Sequence, residues 1–360
     1  MFFLTALVIW IAMNAYVIWR ITGVPVVRRH LPRSIVVAGG VALATSYIAA
    51  RMIETRTTNG MAAVLEWLGA EWLGFVFLAL VCFAAGDVAS LAWKRRDVIR
   101  SAAFATALAL ALIATVNAVR APVVRDYEIH LRDLPPERDG MVLVAISDLH
   151  LGTLVSERWL NARIEQVNAL HPDLIAILGD LGEGDAPAER ELPPTLARLR
   201  APLGVWAVPG NHENHATGAT DTLLAGAGIR LLRDSSALAA PGLVVAGVDS
   251  AGHQRAAGRG LVEKALAGRV QPAATILLSH IPEQINIAAR SGAGLMLAGL
   301  THGGQIWPFG LIVRMQYRYL GGRYDVDGMP LIVCRGTGTW GPKMRLWRPN
   351  EIVRVVLRRG

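Results

Sequence analysis

A chain of 360 residues, 53% of them hydrophobic and with a mean hydropathy of +0.38, is too long and too apolar for an ordinary soluble domain, so part of it belongs in a bilayer. Its formal charge of +8 does not mark a nucleic-acid binder, because residues 1–120 hold 11 Lys+Arg against 5 Asp+Glu and the remainder is nearly balanced. Basic residues gathered in the short loops of an apolar region report membrane topology, not a polyanionic partner.

Four apolar runs come first: Phe2–Trp19, Ser34–Ala50, Trp72–Trp93 and Ser101–Val119. Each is close to the roughly 17–25 residues that cross a hydrocarbon core. They predict an all-α transmembrane bundle over residues 1–120. No basic residue precedes the first run, which therefore reads as an anchor and not as a cleaved signal peptide. The loop after it carries Arg20, Arg28, Arg29 and Arg33, and the loop after the third run carries Lys94, Arg95, Arg96 and Arg100. Both are expected to face the cytoplasm. Between them Arg51 and Arg56 stand against Glu54, Glu66 and Glu71, a balance that suits a loop on the outer side. Four crossings place everything after Arg120 outside, so the expectation is a multi-pass protein of the cell membrane with an extracytoplasmic second domain. Asp87, inside the third run, reads as an acid that reaches the interface or pairs with Lys94 or Arg95. Ala38, Gly39, Gly40 and Ala42 suit close helix packing. Cys82 and Cys334 fall in separate apolar stretches and predict no disulfide.

After Arg120 the rhythm changes. Met141–Ile146, Leu174–Leu178, Val205–Val208, Leu243–Val248, Thr275–Leu278 and Leu295–Leu297 are short apolar runs bounded by Gly, Pro, Asp or His, which predicts strands. Helical patterns lie between them at Glu157–Leu170 with Ser156 as N-cap, Leu192–Arg200, Asp221–Ala227, Val262–Ala267 and Glu283–Arg290. Leu331–Cys334 and Glu351–Leu357 read as closing strands. Alternation of this kind predicts an α/β domain of stacked layers over residues 121–360.

Chemistry-bearing residues sit at the ends of those strands. Asp148 and His150 follow the first, Asp180 the second, Asn211 and His212 the third, His280 a later one and His302 the last. Ligands collect beyond the carboxyl ends of strands in α/β sheets, where loops from separate segments converge. Carboxylate, imidazole and carboxamide donors together suit divalent Mn, Fe or Zn. His30, His130 and His171 lie in polar flanks and read as surface residues, while His253 sits on a Gly-flanked loop that could face the site. Trp307, Phe309, Tyr317, Tyr319 and Trp340 surround the last histidine; core packing is the default for such aromatics, and walling an apolar cleft or touching lipid headgroups is the functional reading.

The series Asp148-x-His150, Gly179-Asp180, Gly210-Asn211-His212-Glu213, His280 and Gly299-Leu300-Thr301-His302 resembles the calcineurin-like metallophosphoesterases. The stretches 146–153, 301–310 and 335–342 resemble its membrane-anchored branch related to the YkuE-type phosphoesterases. The resemblance covers residues 140–358 and implies a β-sandwich flanked by helices. It also implies that Asp148, His150, Asp180 and His302 hold one divalent metal, that Asp180, Asn211 and His280 hold a second, and that His212 is the acid near the leaving group. In that family the second metal gains a further histidine, and here that position is Leu300, so the second site is expected to be weak or empty. Water, a substrate oxygen, Glu213 or His215 are the candidates to replace it.

The function expected on this basis is a membrane-anchored phosphatase-type hydrolase, dependent on manganese, iron or zinc, that opens a phosphoester or pyrophosphate of a phosphorylated small molecule or lipid with a metal-activated water, with no nucleic-acid partner. A second reading makes the chain a catalytically impaired member that binds a phospho-ligand or a partner.

Overall fold

The computed structural model describes residues 2–54, 60–152, 155–183, 193–213, 219–249 and 260–360. They form two compact units, one of Met1–Val119 with Gly341–Leu346 and one of Arg120–Trp340 with Trp347–Gly360.

The first unit holds five helices: α1 (Phe2–Thr22), α2 (Pro25–His30), α3 (Arg33–Glu54), α4 (Gly60–Ala92) and α5 (Arg96–Val119). All but α2 are long and apolar enough to cross a membrane. Small side chains set their spacing. On α5 the buried residues are Ala103, Ala107, Ala111, Ala114 and Ala118, a small residue on one face of each turn that lets helices approach. A methyl group on Gly40 would overlap the Ile18 side chain of α1. Asp87 does not pair with Lys94 or Arg95 as the sequence suggested. It accepts a hydrogen bond from the Tyr16 hydroxyl at 2.6 Å and forms an ion pair with Arg20, because α1 packs along α4. Glu66 and Glu71 are not loop residues either. The stretch from Met61 to Trp72 is rich in Ala, Leu and Glu, strong helix formers, and α4 runs through it. Glu71 then accepts hydrogen bonds from the Thr115 hydroxyl at 3.2 Å and from the Lys343 amide at 2.7 Å. The Arg345 amide donates to the Ala114 carbonyl at 2.8 Å, which fixes Gly341–Leu346 among these helices.

The second unit is a sandwich of two six-stranded sheets. One sheet has the order β1 (Val123–Leu131), β12 (Glu351–Arg359), β2 (Val142–Ile146), β3 (Leu174–Leu178), β4 (Val205–Val208), β5 (Arg230–Leu231). The other has β10 (Gly322–Val326), β11 (Met329–Val333), β9 (Leu295–Ala298), β8 (Ala274–Leu278), β7 (Leu243–Gly247), β6 (Ser235–Ala240). Parallel pairing joins β2 through β5 in one sheet and β7, β8, β9 and β11 in the other, while β12 lies antiparallel to β2. Period-two alternation explains why their sequences are apolar throughout. Leu143 and Ala145 join Leu174, Leu243, Ile276 and Leu295 in the core between the sheets. Their neighbours Val144 and Ile146 instead meet Leu160, Ile164 and Val167 of helix α6 (Glu157–Asn168). Leu277 and Met296 likewise pack against the helices Leu261–Leu266 and Ile285–Arg290. Ser156 caps α6 as expected, its hydroxyl accepting from the Trp159 amide at 3.2 Å.

Strands β1, β6 and β10 were not expected. Each is an edge strand whose outward positions are mostly polar or small, Val123 and Leu238 being exposed exceptions, and edges of that kind resist pairing with another chain at the expense of a clear sequence pattern.

Candidate metal centre

Parallel strands bring their carboxyl ends to one side of each sheet, and the loops leaving β2, β3, β4, β8 and β9 carry Asp148 with His150, Asp180, Asn211 with His212, His280 and His302. These loops turn sharply. Asp148, His150, Asp180 and His302 have φ of +52°, +47°, +49° and +48°, a left-handed conformation that costs a non-glycine residue about 1–2 kcal/mol each. Backbone hydrogen bonds hold them there: the Asp148 amide donates to the Gly179 carbonyl at 3.1 Å and the His150 amide to the Asp180 carbonyl at 3.0 Å. Strain of this kind gathers where side chains must converge.

The donors meet. His150 Nε2 and His302 Nε2 are 3.2 Å apart, and His302 Nε2 is 3.5 Å from Asp148 Oδ1. Beside them His280 Nε2 lies 3.2 Å from Asp180 Oδ2 and 3.0 Å from Asn211 Oδ1. Asp180 Oδ2 is also 3.9 Å from His150 Nε2 and so lies between the two groups. Ligands bound to a common cation at about 2.0–2.2 Å stand about 2.8–3.6 Å from one another, which covers the 3.0–3.5 Å separations within each group. Asp148, His150 and His302 form one set able to hold an ion, and Asp148, Asp180 and His280 a second. The fully buried Oδ2 of Asp148 accepts no hydrogen bond among the described residues, a cost that a cation would remove. Tautomers fit as well: His280 Nδ1 faces the Leu178 carbonyl at 2.8 Å and His150 Nδ1 faces Glu183 Oε1 at 2.8 Å, leaving each Nε2 toward the cluster.

One acid escaped the sequence reading, and a second, Glu213, has a different role from the one expected. Glu183 lies 3.3 Å from His212 Nδ1 as well as beside His150, so one carboxylate orients both imidazoles. Its signal was the spacing Gly179-Asp180-x-x-Glu183. Glu213 does not swing toward a metal. Its carboxylate accepts the backbone amides of Asp180 at 3.0 Å, Gly182 at 3.1 Å and Gly210 at 2.6 Å, and that of Leu181. It is a brace that fixes the Asp180 loop against the Asn211 loop. His215 and His253 lie outside the described residues. His30, His130 and His171 are exposed. Leu300 takes a left-handed φ of +69° and its amide donates to Asp148 Oδ1 at 3.2 Å, while its side chain offers no donor to a metal. Of the aromatics, Trp307, Phe309 and Trp340 depart from the core default and are exposed, whereas Tyr317 is half-buried and Tyr319 packs against the core of the second sheet.

Comparison with known proteins bears on this geometry. The calcineurin-like phosphoesterase family matches residues 141–262. A transmembrane protein with a metallophosphoesterase domain from Bos taurus is 31% identical over 319 residues, 81% of this chain and 72% of that protein. The chain belongs to the calcineurin-like metallophosphoesterases. A metallophosphoesterase of Aquifex aeolicus is 34% identical over 65% of this chain and 91% of its own length. YkuE of Bacillus subtilis is more distant, 28% identical over 62% of this chain and 82% of its length.

A metallophosphoesterase centre with this many acids is strongly electronegative, and its imidazoles respond. Burial opposes charge on His280, yet the Asp180 carboxylate outweighs it and pushes the imidazole up to about 10. Burial would raise Asp180, but His280, His150 and His212 hold it well below the usual carboxylate range. Glu183 is likewise held down at about 2 by His150 and His212 against the effect of burial. His212 is raised, its desolvation more than offset by Glu183 and Asp180. Asp148 goes up, chiefly because it is buried. Protons on the imidazoles thus balance carboxylates that divalent cations would otherwise neutralise.

Proposed function

We propose that this chain is a multi-pass membrane phosphoesterase with two divalent metal sites, acting on a phosphoester or pyrophosphate, including lipid-linked ones, on the outer face of the membrane. The observation that carries the reading is the convergence of Asp148, His150, Asp180, Asn211, His280 and His302 at ligand spacing. Asp148, His150 and His302 would hold one metal with help from Asp180; Asp180, Asn211 and His280 would hold the other with help from Asp148. Paired divalent cations activate water as a nucleophile and neutralise charge on the attacking and leaving oxygens.

The chain's own residues do the rest. His212 is the general acid: Glu183 at its Nδ1 turns Nε2 toward the cluster and favours the protonated ring, raising its pKa. Asn211 and His280 hold each other in register, and Glu213 keeps the Asp180 and Asn211 loops at fixed separation. Trp340 stands beside His212, ring centroids 6.1 Å apart.

Manganese-dependent hydrolysis of a nitrophenyl phosphodiester by the full-length protein tests the reading. Asp180→Ala should lower turnover by about 100-fold or more, since the loss of even an indirect partner of a metal ligand costs about 10–100-fold. Absence of turnover with Mn, Fe or Zn would overturn it. Leu300 supports the second reading, a module that binds a phospho-ligand without turning it over, and Leu300→His separates the two: a large gain of activity marks an enzyme short of one ligand, while tight phosphate binding with no gain marks the module.

A further inference from the structure

The helix Gly310–Gln316 begins a few residues after His302 and turns its large apolar side chains outward. Leu311, Ile312 and Met315 are 64%, 55% and 87% exposed, and Trp307 and Phe309 just before them are 51% and 40% exposed. Arg314 and Arg318 are exposed on the same stretch. A contiguous apolar surface of this kind on a soluble face marks an interaction site.

Three observations identify what covers it. The chain carries four helices long and apolar enough to span a bilayer, so a lipid surface is covalently at hand. Trp340 and Trp347, on either side of Gly341–Leu346 in the sequence, are both exposed. Tryptophan at such points is the mark of the membrane interface. Finally, the basic residues beside the apolar ones complement anionic headgroups, as on helices that lie in the interface plane. The surface also adjoins the metal centre: Gln305 Nε2 donates to the Trp340 carbonyl at 2.9 Å, the Trp340 amide donates to Gln305 Oε1 at 3.1 Å, and the Trp340 ring meets His212.

We infer that Trp307, Phe309, Leu311, Ile312 and Met315 form a ledge that seats in the interfacial zone of an anionic bilayer and brings the phosphoester of a lipid headgroup to the His212 side of the metal centre. The inference rests on the phosphoesterase reading above for its chemistry and on the exposed helix for its surface. Arg314 and Arg318 strengthen the seating where anionic lipid is present, and Trp340 forms the step between ledge and site.

The test uses the full chain in vesicles of phosphatidylcholine, with and without a minority of phosphatidylglycerol. A spin label at Met315→Cys, in a Cys82→Ala background with the buried Cys334 left in place, is compared with one at the exposed Leu238→Cys. Collisions with lipid-soluble oxygen should dominate at residue 315, more so with phosphatidylglycerol, while a water-soluble nickel chelate should dominate at residue 238. A label at 315 that reports water as residue 238 does, or that is shielded from both reagents by a second protein copy, overturns the ledge. A second arm offers the same nitrophenyl phosphodiester on a short soluble alcohol or on diacylglycerol in the vesicle. The triple variant Leu311→Asn, Ile312→Asn, Met315→Gln should lose about tenfold or more on the lipid-borne ester and keep its rate on the soluble one. Equal effects on both, or none on either, overturn the lipid delivery. Failure to hydrolyse either ester refutes the phosphoesterase reading and leaves the ledge to be decided by the labels.

Discussion

A methyl group on residue 210 would collide with the Asp180 carboxylate and amide, so Gly210 is where the Asn211 loop touches the loop that carries Asp180. Gly210→Ala should therefore lose metal and activity together while the rest of the domain stays folded, a result read by metal content and circular dichroism. Gly338 is similar: a Cβ there would stand 2.6 Å from the Asp148 carbonyl and 2.5 Å from that of Leu149. Titration adds two further expectations. In the metal-free protein His280 is raised to about 10, above its ordinary value. Its ion pair with Asp180 is then fully present below about pH 6.5 and is lost as pH rises through about 10. A cation must displace that proton, so apparent metal affinity should climb about tenfold per pH unit between those limits; calorimetric titration across pH checks it, and an affinity flat with pH would contradict the assignment. Glu183 raises His212, and an acid is active only below its pKa. Glu183→Gln should move the alkaline limb of the rate profile to lower pH and reduce turnover at neutral pH.

Elements differ in how openly their sequences declared them. Strands β3 and β4 were legible to the residue because both of their faces are buried, which makes a short unbroken apolar run bounded by turn residues. The edge strands β1, β6 and β10 were not, since an edge needs few apolar residues. The same contrast holds at the metal centre. Asp148, His150, Asp180, Asn211, His280 and His302 stood out because donor residues at strand ends are rare, whereas Glu213 acts through backbone amides that leave no trace in sequence spacing. Glu183 lay three residues beyond Asp180 and its role emerges only from the fold. Packing within these elements is tight: Leu297 of β9, fully buried between the sheets five residues before His302, should cost about 2–5 kcal/mol when changed to Ala, seen as a lower midpoint in chemical denaturation. A variant with unchanged stability would mean the inter-sheet core is looser than described.

The whole molecule consists of a unit of helices, four of them long and apolar enough to cross a membrane, and a two-sheet metallophosphoesterase unit. The arginines flanking α1 and the Lys94–Arg96 cluster after α4 predict which side each loop faces. An epitope after Gly360 should be reached from outside intact cells. An epitope reached only after permeabilisation would put the catalytic unit in the cytoplasm and turn the substrate expectation toward nucleotide-linked lipid precursors. The central claim is that donors from five separate loops gather to hold divalent metal. Elemental analysis of the purified full-length protein after loading with Mn, Fe or Zn tests it most directly. At least about one equivalent per chain is predicted, rising toward about two in Leu300→His and falling to background in a folded Asp180→Ala. A folded protein that retains none of these metals, or one whose metal content ignores Asp180, would contradict it.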